Sequence, residues 1–268
     1  MMMTAMKLID SGEVPPSSRE LCLFLSHYSS WLLGCGSTCI RLEKNVRRIA
    51  AAYGKEADIM ILPRHINISV HGAEQTDRVT HTTTVQNTAI DFNINTMLSE
   101  LSWEIADGKI NLATAASRFD KIIASSSQNK WVVLLLVTFA NASFCRLFGG
   151  DPISMAIVGV ATFAGYYIKQ TMLSRKADMR VVALVCSFVS TILGATDMLF
   201  SIGTAPMTTI GTSVLYLVPG IPFLNSFSDL IYRHYICAFS RLVDAVILTG
   251  CLSLGLCAGM MLMRAPMF

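Results

Sequence analysis

Leu217-Val218-Pro219-Gly220-Ile221-Pro222-Phe223 lies inside Met207–Phe227, an uncharged stretch long enough to cross a membrane. Each proline removes a backbone N–H, and hydrocarbon offers no water to replace the lost helical bond. A helix interrupted at that depth persists only where protein or a wet cavity receives the freed groups. The stretch therefore reads as part of a transporter rather than an anchor. It predicts that the carbonyls near Leu215 and Val218, together with Asn225, are open to a ligand.

The surroundings agree. The chain is 268 residues long, 53% hydrophobic and only 15% charged, with a mean hydropathy of +0.52. That is too apolar for an ordinary water-soluble protein of this size. Residues 1–130 hold 13 Lys/Arg and 13 Asp/Glu, whereas residues 131–268 hold 8 and 5, the source of the whole net charge of +3. The spans expected in the second half are Trp131–Phe148, Pro152–Ile168, Val181–Gly203, Met207–Phe227 and Leu242–Met263, each near the ~20 residues that bridge hydrocarbon. The proline pair also permits a re-entrant form of the fourth. Lys169, Arg175, Lys176, Arg180, Arg233 and Arg241 are assigned to loops on one side, against Arg146 and Arg264 on the other. The positive-inside rule puts the first set, and the N-terminal domain with it, in the cytoplasm.

Residues 1–16 read as a flexible tail, 17–130 as a cytoplasmic α+β domain and 131–268 as a transmembrane helical domain. Met1–Met6 is too short for a signal sequence. Ser17-Ser18-Arg19-Glu20 is a capping box, and the apolar stripe from Leu21 to Tyr53 predicts one amphipathic helix ending at Gly54. Gly34 and Gly36 each weaken it by roughly 1 kcal/mol. Strands follow over 57–62, 65–71 and 78–86, with Ile66, Ile68 and Val70 facing inward and a turn over 72–77. Helices are expected over 95–106 and 111–124, then a polar hinge over 125–129.

Candidate chemistry is sparse. Asp197, inside the third span, is costly as an ion and should be protonated, paired or beside a wet cavity. Its bland alternative is a carboxylate meeting water at the outer interface. Asp229 is four residues before Arg233, a spacing that suits a helical surface pair. Asp244 lies where it could meet Arg241. Gly149-Gly150-Asp151 reads as the outer turn between the first two spans, and Gly255 with Gly259 as a helix-packing face. HExxH, Walker A, GxSxG and CxxC are all missing, so no enzyme is read here. The eight cysteines lack disulfide or metal spacing, and His65 and His71 are roughly 20 Å apart on one strand. No cofactor, no metal and no nucleic-acid partner is expected.

Gly36-Ser37-Thr38 with Arg41-Leu42-Glu43, Ala52-Tyr53-Gly54, Phe148-Gly149-Gly150-Asp151, and Leu217 to Pro222 through Asn225, Asp229 and Ser240-Arg241 resemble the threonine/serine exporter family over roughly residues 20–265. The resemblance implies a cytoplasmic domain, about five spans and a second, small integral-membrane subunit. It implies export of threonine and serine from the bacterial inner membrane driven by the proton gradient or, for some split pairs, export of succinate. The matching positions are Asp151, Pro219, Gly220, Pro222, Asn225, Asp229 and Arg241. With Asp197 added, they make up the expected substrate and ion pathway. Arg146 lies outside the family pattern and, with Arg241, favours the dicarboxylate alternative. A membrane-anchored hydrolase or sensor built on residues 17–130 is a third possibility with less support.

Overall fold

The computed structural model describes residues 16–72, 77–86, 88–125, 129–200 and 202–264. The expected tail (apart from residue 16), most of the 72–77 turn and the middle of the hinge lie outside the described residues. The described chain divides into two compact units. One holds residues up to 125 together with Ile221–Leu242, the other the chain from 129 to Gly220 together with Val243 onward.

The first unit opens with α1 (Ser18–Gly34) and α2 (Cys39–Ala52), followed by β1 (Glu56–Ile61), β2 (His65–His71) and β3 (Val79–Thr84), then α3 (Phe92–Ala106) and α4 (Leu112–Ala124). The capping box is present: the Ser17 hydroxyl accepts from the Glu20 N–H, and the Glu20 carboxylate accepts from the Ser17 N–H. The single long helix expected over 17–54 is two helices. Gly36 takes φ +89, in the left-handed region that favours glycine, and turns the chain at residues 35–38. A side chain at Gly34 would overlap the Gln86 carbonyl oxygen, so both glycines serve close approach.

The strands form one antiparallel sheet in the order β1-β2-β3, with Ile61 opposite Ile66 and Val70 opposite Val79. Ile66, Ile68 and Val70 are buried as expected, packed with Leu21, Leu25, Leu32, Leu42, Ile49 and Leu98 in one core. α3 starts three residues earlier than the sequence suggested because Asp91, rather than a residue near Asn95, caps its first N–H groups.

The second unit holds α5 (Lys130–Leu147), α6 (Pro152–Ser174), α7 (Met179–Gly194), a short α8 (Thr196–Phe200), α9 (Pro206–Ser213) and a 3₁₀ turn over Leu215–Leu217. α10 (Gly220–Ile231) and α11 (Tyr235–Leu262) complete the described chain; α11 contributes residues up to Leu242 to the first unit and the remainder to the second. By length and composition, four helices among the described residues can cross a membrane, or five if the pair Pro206–Leu217 and Gly220–Ile231, bent by 62°, makes one span. Two expected boundaries move. α6 runs to Ser174, so Lys169 belongs to the helix and not to the following loop. α11 begins at Tyr235, so Arg241 is helical too. Gly255 and Gly259 do pack helices: they face Leu184, Ser187, Phe188 and Thr191 of α7, where a methyl group would collide.

Candidate functional site

The break at the proline pair is real, but its local chemistry differs from the expectation. Val218 donates to the Leu215 carbonyl at 3.1 Å, and Gly220 donates to the Val218 carbonyl at 2.8 Å. The two carbonyls predicted to be open are thus taken by tighter turns, a usual way to satisfy the end of a helix. Pro219 stands immediately before α10 and Pro222 in its first turn, where a missing N–H costs nothing. The prolines start a helix rather than rupture one.

Asn225, Asp229 and Arg241 meet, within the first unit, on the segment that joins α1 to α2. Asn225 Nδ2 donates to the Gly36 carbonyl and Arg241 Nη2 to the Ser37 carbonyl, both at 2.8 Å. The Asp229 carboxylate accepts from the Cys39 N–H at 2.8 Å and lies 3.1 Å from Arg241 Nη1. Thr38 makes no side-chain cap for α2, so Asp229 supplies that cap from 190 positions along the chain. A carboxylate is favourable at the positive end of a helix. The expected partner of Asp229 was Arg233. Its actual partner is Arg241, because Arg233 has left the helix with φ +65. Asp244 pairs with Arg180 at 3.7 Å instead of Arg241. Beside Asp229, the Cys39 thiol is pushed well above its usual range, first by its hydrogen bond with Cys237 and then by burial and the neighbouring carboxylate.

Asp197 occupies a different setting, in the second unit. It is fully buried and accepts from Gly203 N–H at 2.6 Å, Thr209 Oγ1 at 2.6 Å and Ser154 Oγ at 3.1 Å. Among the described residues no Lys, Arg or His forms an ion pair with it. Neutral donors alone hold it, and Gly203 must lack a side chain because a Cβ would come within 2.5 Å of the carboxylate. Asp151 caps α6, accepting from Ser154 N–H at 2.6 Å and Thr204 N–H at 2.8 Å. Those backbone donors, Ser154 first, hold the Asp151 carboxyl well below the usual carboxylate range. The Gly203-Thr204 loop is therefore fastened by both acids.

From Asp197 a line of polar side chains continues between helices of the same unit. Asn141 on α5 donates to Thr162 Oγ1 at 2.6 Å and to the Thr212 carbonyl at 2.9 Å. Ser190 on α7 meets the Tyr216 hydroxyl at 3.0 Å, and the Lys169 ammonium lies 5.4 Å from the Tyr166 ring centre and 6.0 Å from that of Tyr216. On α6, Ser154, Val158, Thr162, Gly165 and Lys169 recur at three- and four-residue steps, which places them on one face. At 1.5 Å per residue that face extends roughly 22 Å, with an acid at one end and a base at the other. Asp197 stood out in the sequence, whereas the hydroxyls did not and Lys169 was expected only as a loop cation. The helical spacing of Ser154, Thr162 and Gly165 was the available signal.

Such a seam can carry a proton or a small polar solute past apolar walls, since buried hydroxyls both donate and accept. No group of three or more His, Cys, Asp or Glu among the described residues could hold a metal ion.

A family model described as "Putative threonine/serine exporter" matches residues 24–263. The "Probable succinate transporter subunit YjjP" of Klebsiella aerogenes is 28% identical over 132 residues, 49% of this chain and 51% of that protein. The protein of the same name from Escherichia coli (strain K12) is 29% identical over 134 residues, 50% of this chain and 51% of that protein. The chain thus spans about half the length of the curated relatives it matches. No solved structure matches it.

Proposed function

The chain belongs to the threonine/serine exporter family, and from that premise we propose that it is one subunit of a secondary-active exporter of small polar metabolites. In this reading it sits in the bacterial inner membrane with its N-terminal unit in the cytoplasm. It works beside a second, small integral-membrane subunit and moves threonine or serine outward as protons enter. The observation that carries the proposal is Asp197, a fully buried carboxylate held by three neutral donors inside a membrane-length helix pair. A carboxylate kept there without a cation is expensive unless its proton comes and goes with the work cycle.

The candidate residues take distinct parts in this account. Asp197 exchanges the proton, and Asp151 orders the mouth through Thr204. Pro219, Gly220 and Pro222 form the joint about which access alternates. Asn225, Asp229 and Arg241 anchor the helix that starts at that joint to residues 36–39. Asp197→Asn keeps the size and most hydrogen bonds but cannot exchange a proton at this position. Cells carrying the wild-type chain and its partner subunit should clear threonine accumulated from a threonine dipeptide; cells with Asp197→Asn should retain it. Equal clearance by the two would sink the proton role, and wild-type clearance no faster than that of cells lacking the gene would sink amino-acid export.

A succinate exporter is the second reading, favoured by the names of the two relatives. Arg241 no longer supports it, since Asp229 and the Ser37 carbonyl hold its guanidinium, whereas Arg146 donates to the Gly150 carbonyl and stays exposed, so it still favours an acid. Succinate efflux measured in the same strains separates the two cargoes.

A further inference from the structure

Lys169 is the charged group that the export reading leaves without a task. It lies within α6, five residues before the helix ends, and no carboxylate lies within ion-pair distance of it among the described residues. A lysine so near a helix end ordinarily extends its ammonium toward lipid headgroups. Here the ammonium is folded over two aromatic rings instead. Its neighbours Tyr167 and Gln170 take the opposite role: Tyr167 stacks on Trp131 at 6.1 Å and Gln170 bonds the Lys130 carbonyl at 3.1 Å. One side of α6 is thus spent on holding α5, while Lys169 faces the polar seam.

The groups around the ammonium are shaped for more than packing. Tyr166 and Tyr216 meet edge to face at 6.0 Å, and the Tyr216 hydroxyl is fixed by Ser190 Oγ. Gly165 has no side chain where one would overlap both of those hydroxyl oxygens. Tyr216 belongs to the 3₁₀ turn that ends two residues before Pro219, so the site is close in the chain to the joint. The ammonium lies over the ring faces of Tyr166 and Tyr216 with the Cys186 thiol nearby, and the Ser190 hydroxyl is held on the Tyr216 hydroxyl. All are neutral donors or acceptors, and none supplies a counter-charge. A cation with hydroxyl-bearing neighbours and no resident anion has the chemistry of a carboxylate receptor.

We propose that Lys169, with Tyr166, Tyr216 and Ser190, binds a carboxylate of the exported metabolite. The proposal rests on the export reading and assigns the group that holds the cargo's carboxylate, whether one end of a dicarboxylate or the α-carboxylate of an amino acid. Lys169 sets charge selection near the joint, while Asp197, at the other end of α6, handles the proton. This division keeps the substrate's negative charge away from the buried acid.

The test uses the chain co-purified with its small membrane partner in lipid nanodiscs, with succinate and threonine as probes and with wild type, Lys169→Met and Lys169→Arg compared. A charge-assisted contact of this kind should make Lys169→Met bind roughly 10- to 100-fold more weakly, and Lys169→Arg should recover most of the loss. Binding of succinate alone identifies a dicarboxylate cargo; binding of threonine identifies the amino-acid carboxylate. Methyl esterification of the probe's carboxylates should abolish the difference between wild type and Lys169→Met, a result that general misfolding would not produce. Wild-type binding of neither probe, or unchanged affinity in Lys169→Met, overturns the proposal. Efflux from cells decides the export reading separately: efflux that persists with unchanged KM in Lys169→Met removes the carboxylate site and leaves export standing.

Discussion

Asp197 and Asp229 are both fully buried acids, yet their partners differ in kind: neutral donors for the first, a guanidinium for the second. Asp229 has a permanent cation, Arg241, and a helix N–H to hold. Removing one member of such a pair leaves an uncompensated charge, so Arg241→Met should destabilise the full chain by about 3–5 kcal/mol. Asp229→Asn, which still offers an oxygen to Cys39, should cost less. Chemical unfolding followed by circular dichroism gives the order of the two variants, and the reverse order would contradict the capping role. Asp151 offers a pH test. Its carboxyl is held below the usual range by N–H groups of the folded chain, so its contribution is intact above the unfolded carboxylate pKa of about 4. That contribution is lost as pH falls toward the depressed folded value. Melting temperature should therefore drop below about pH 4 in wild type and less steeply in Asp151→Asn, whose amide cannot be titrated.

Several helix starts closed locally by a side chain were legible, although the equally local Asp91 cap of α3 was passed over. Ser17, Asn111 and Asn129 each accept from a backbone N–H two or three residues ahead. Boundaries set by distant contacts were not legible. Gly34 and Gly36 looked like weak points in one helix, but the Gln86 carbonyl and the Ile90 side chain, far along the chain, occupy the space a continuous helix would need. Gly36→Ala should thus destabilise the protein by about 1–2 kcal/mol from its left-handed backbone alone, with a further loss from Ile90, 2.9 Å from the added carbon. Gly211→Ala, with nothing within 4 Å of the new methyl and a helical position in α9, should be neutral or slightly stabilising. Equal effects in thermal unfolding would show that close approach does not explain the break. The prolines teach the same lesson in reverse: their spacing announced a break correctly, while the 3₁₀ turn and the Gly220–Val218 bond decided that no carbonyl is left waiting at Leu215 or Val218.

The protein as a whole shows broad apolar faces that this chain does not cover. Leu136 and Phe139 on α5, and Leu224 and Ile231 on α10, are more than 60% exposed. In a multi-pass membrane protein such faces meet lipid tails or another membrane subunit. Co-expression should then be decisive: the chain alone should give no efflux above background, and the chain with its small membrane partner should restore it. Full efflux from the chain alone would remove the two-subunit proposal.

Composition and periodicity were enough to predict several apolar helices of membrane length, a mixed N-terminal segment and a discontinuity at Pro219. These follow from solvent preference and backbone chemistry, which each stretch carries within itself. They also singled out Asp197, because a lone acid among apolar residues is conspicuous in one dimension. The neighbours of each acid were not readable that way. Cys39 and Asp229 are 190 positions apart, Ser154 and Asp197 43, and the Lys169 ammonium lies 6.0 Å from the ring centre of Tyr216 on another element. Pairings of that kind depend on which helix faces meet, and no local pattern records them.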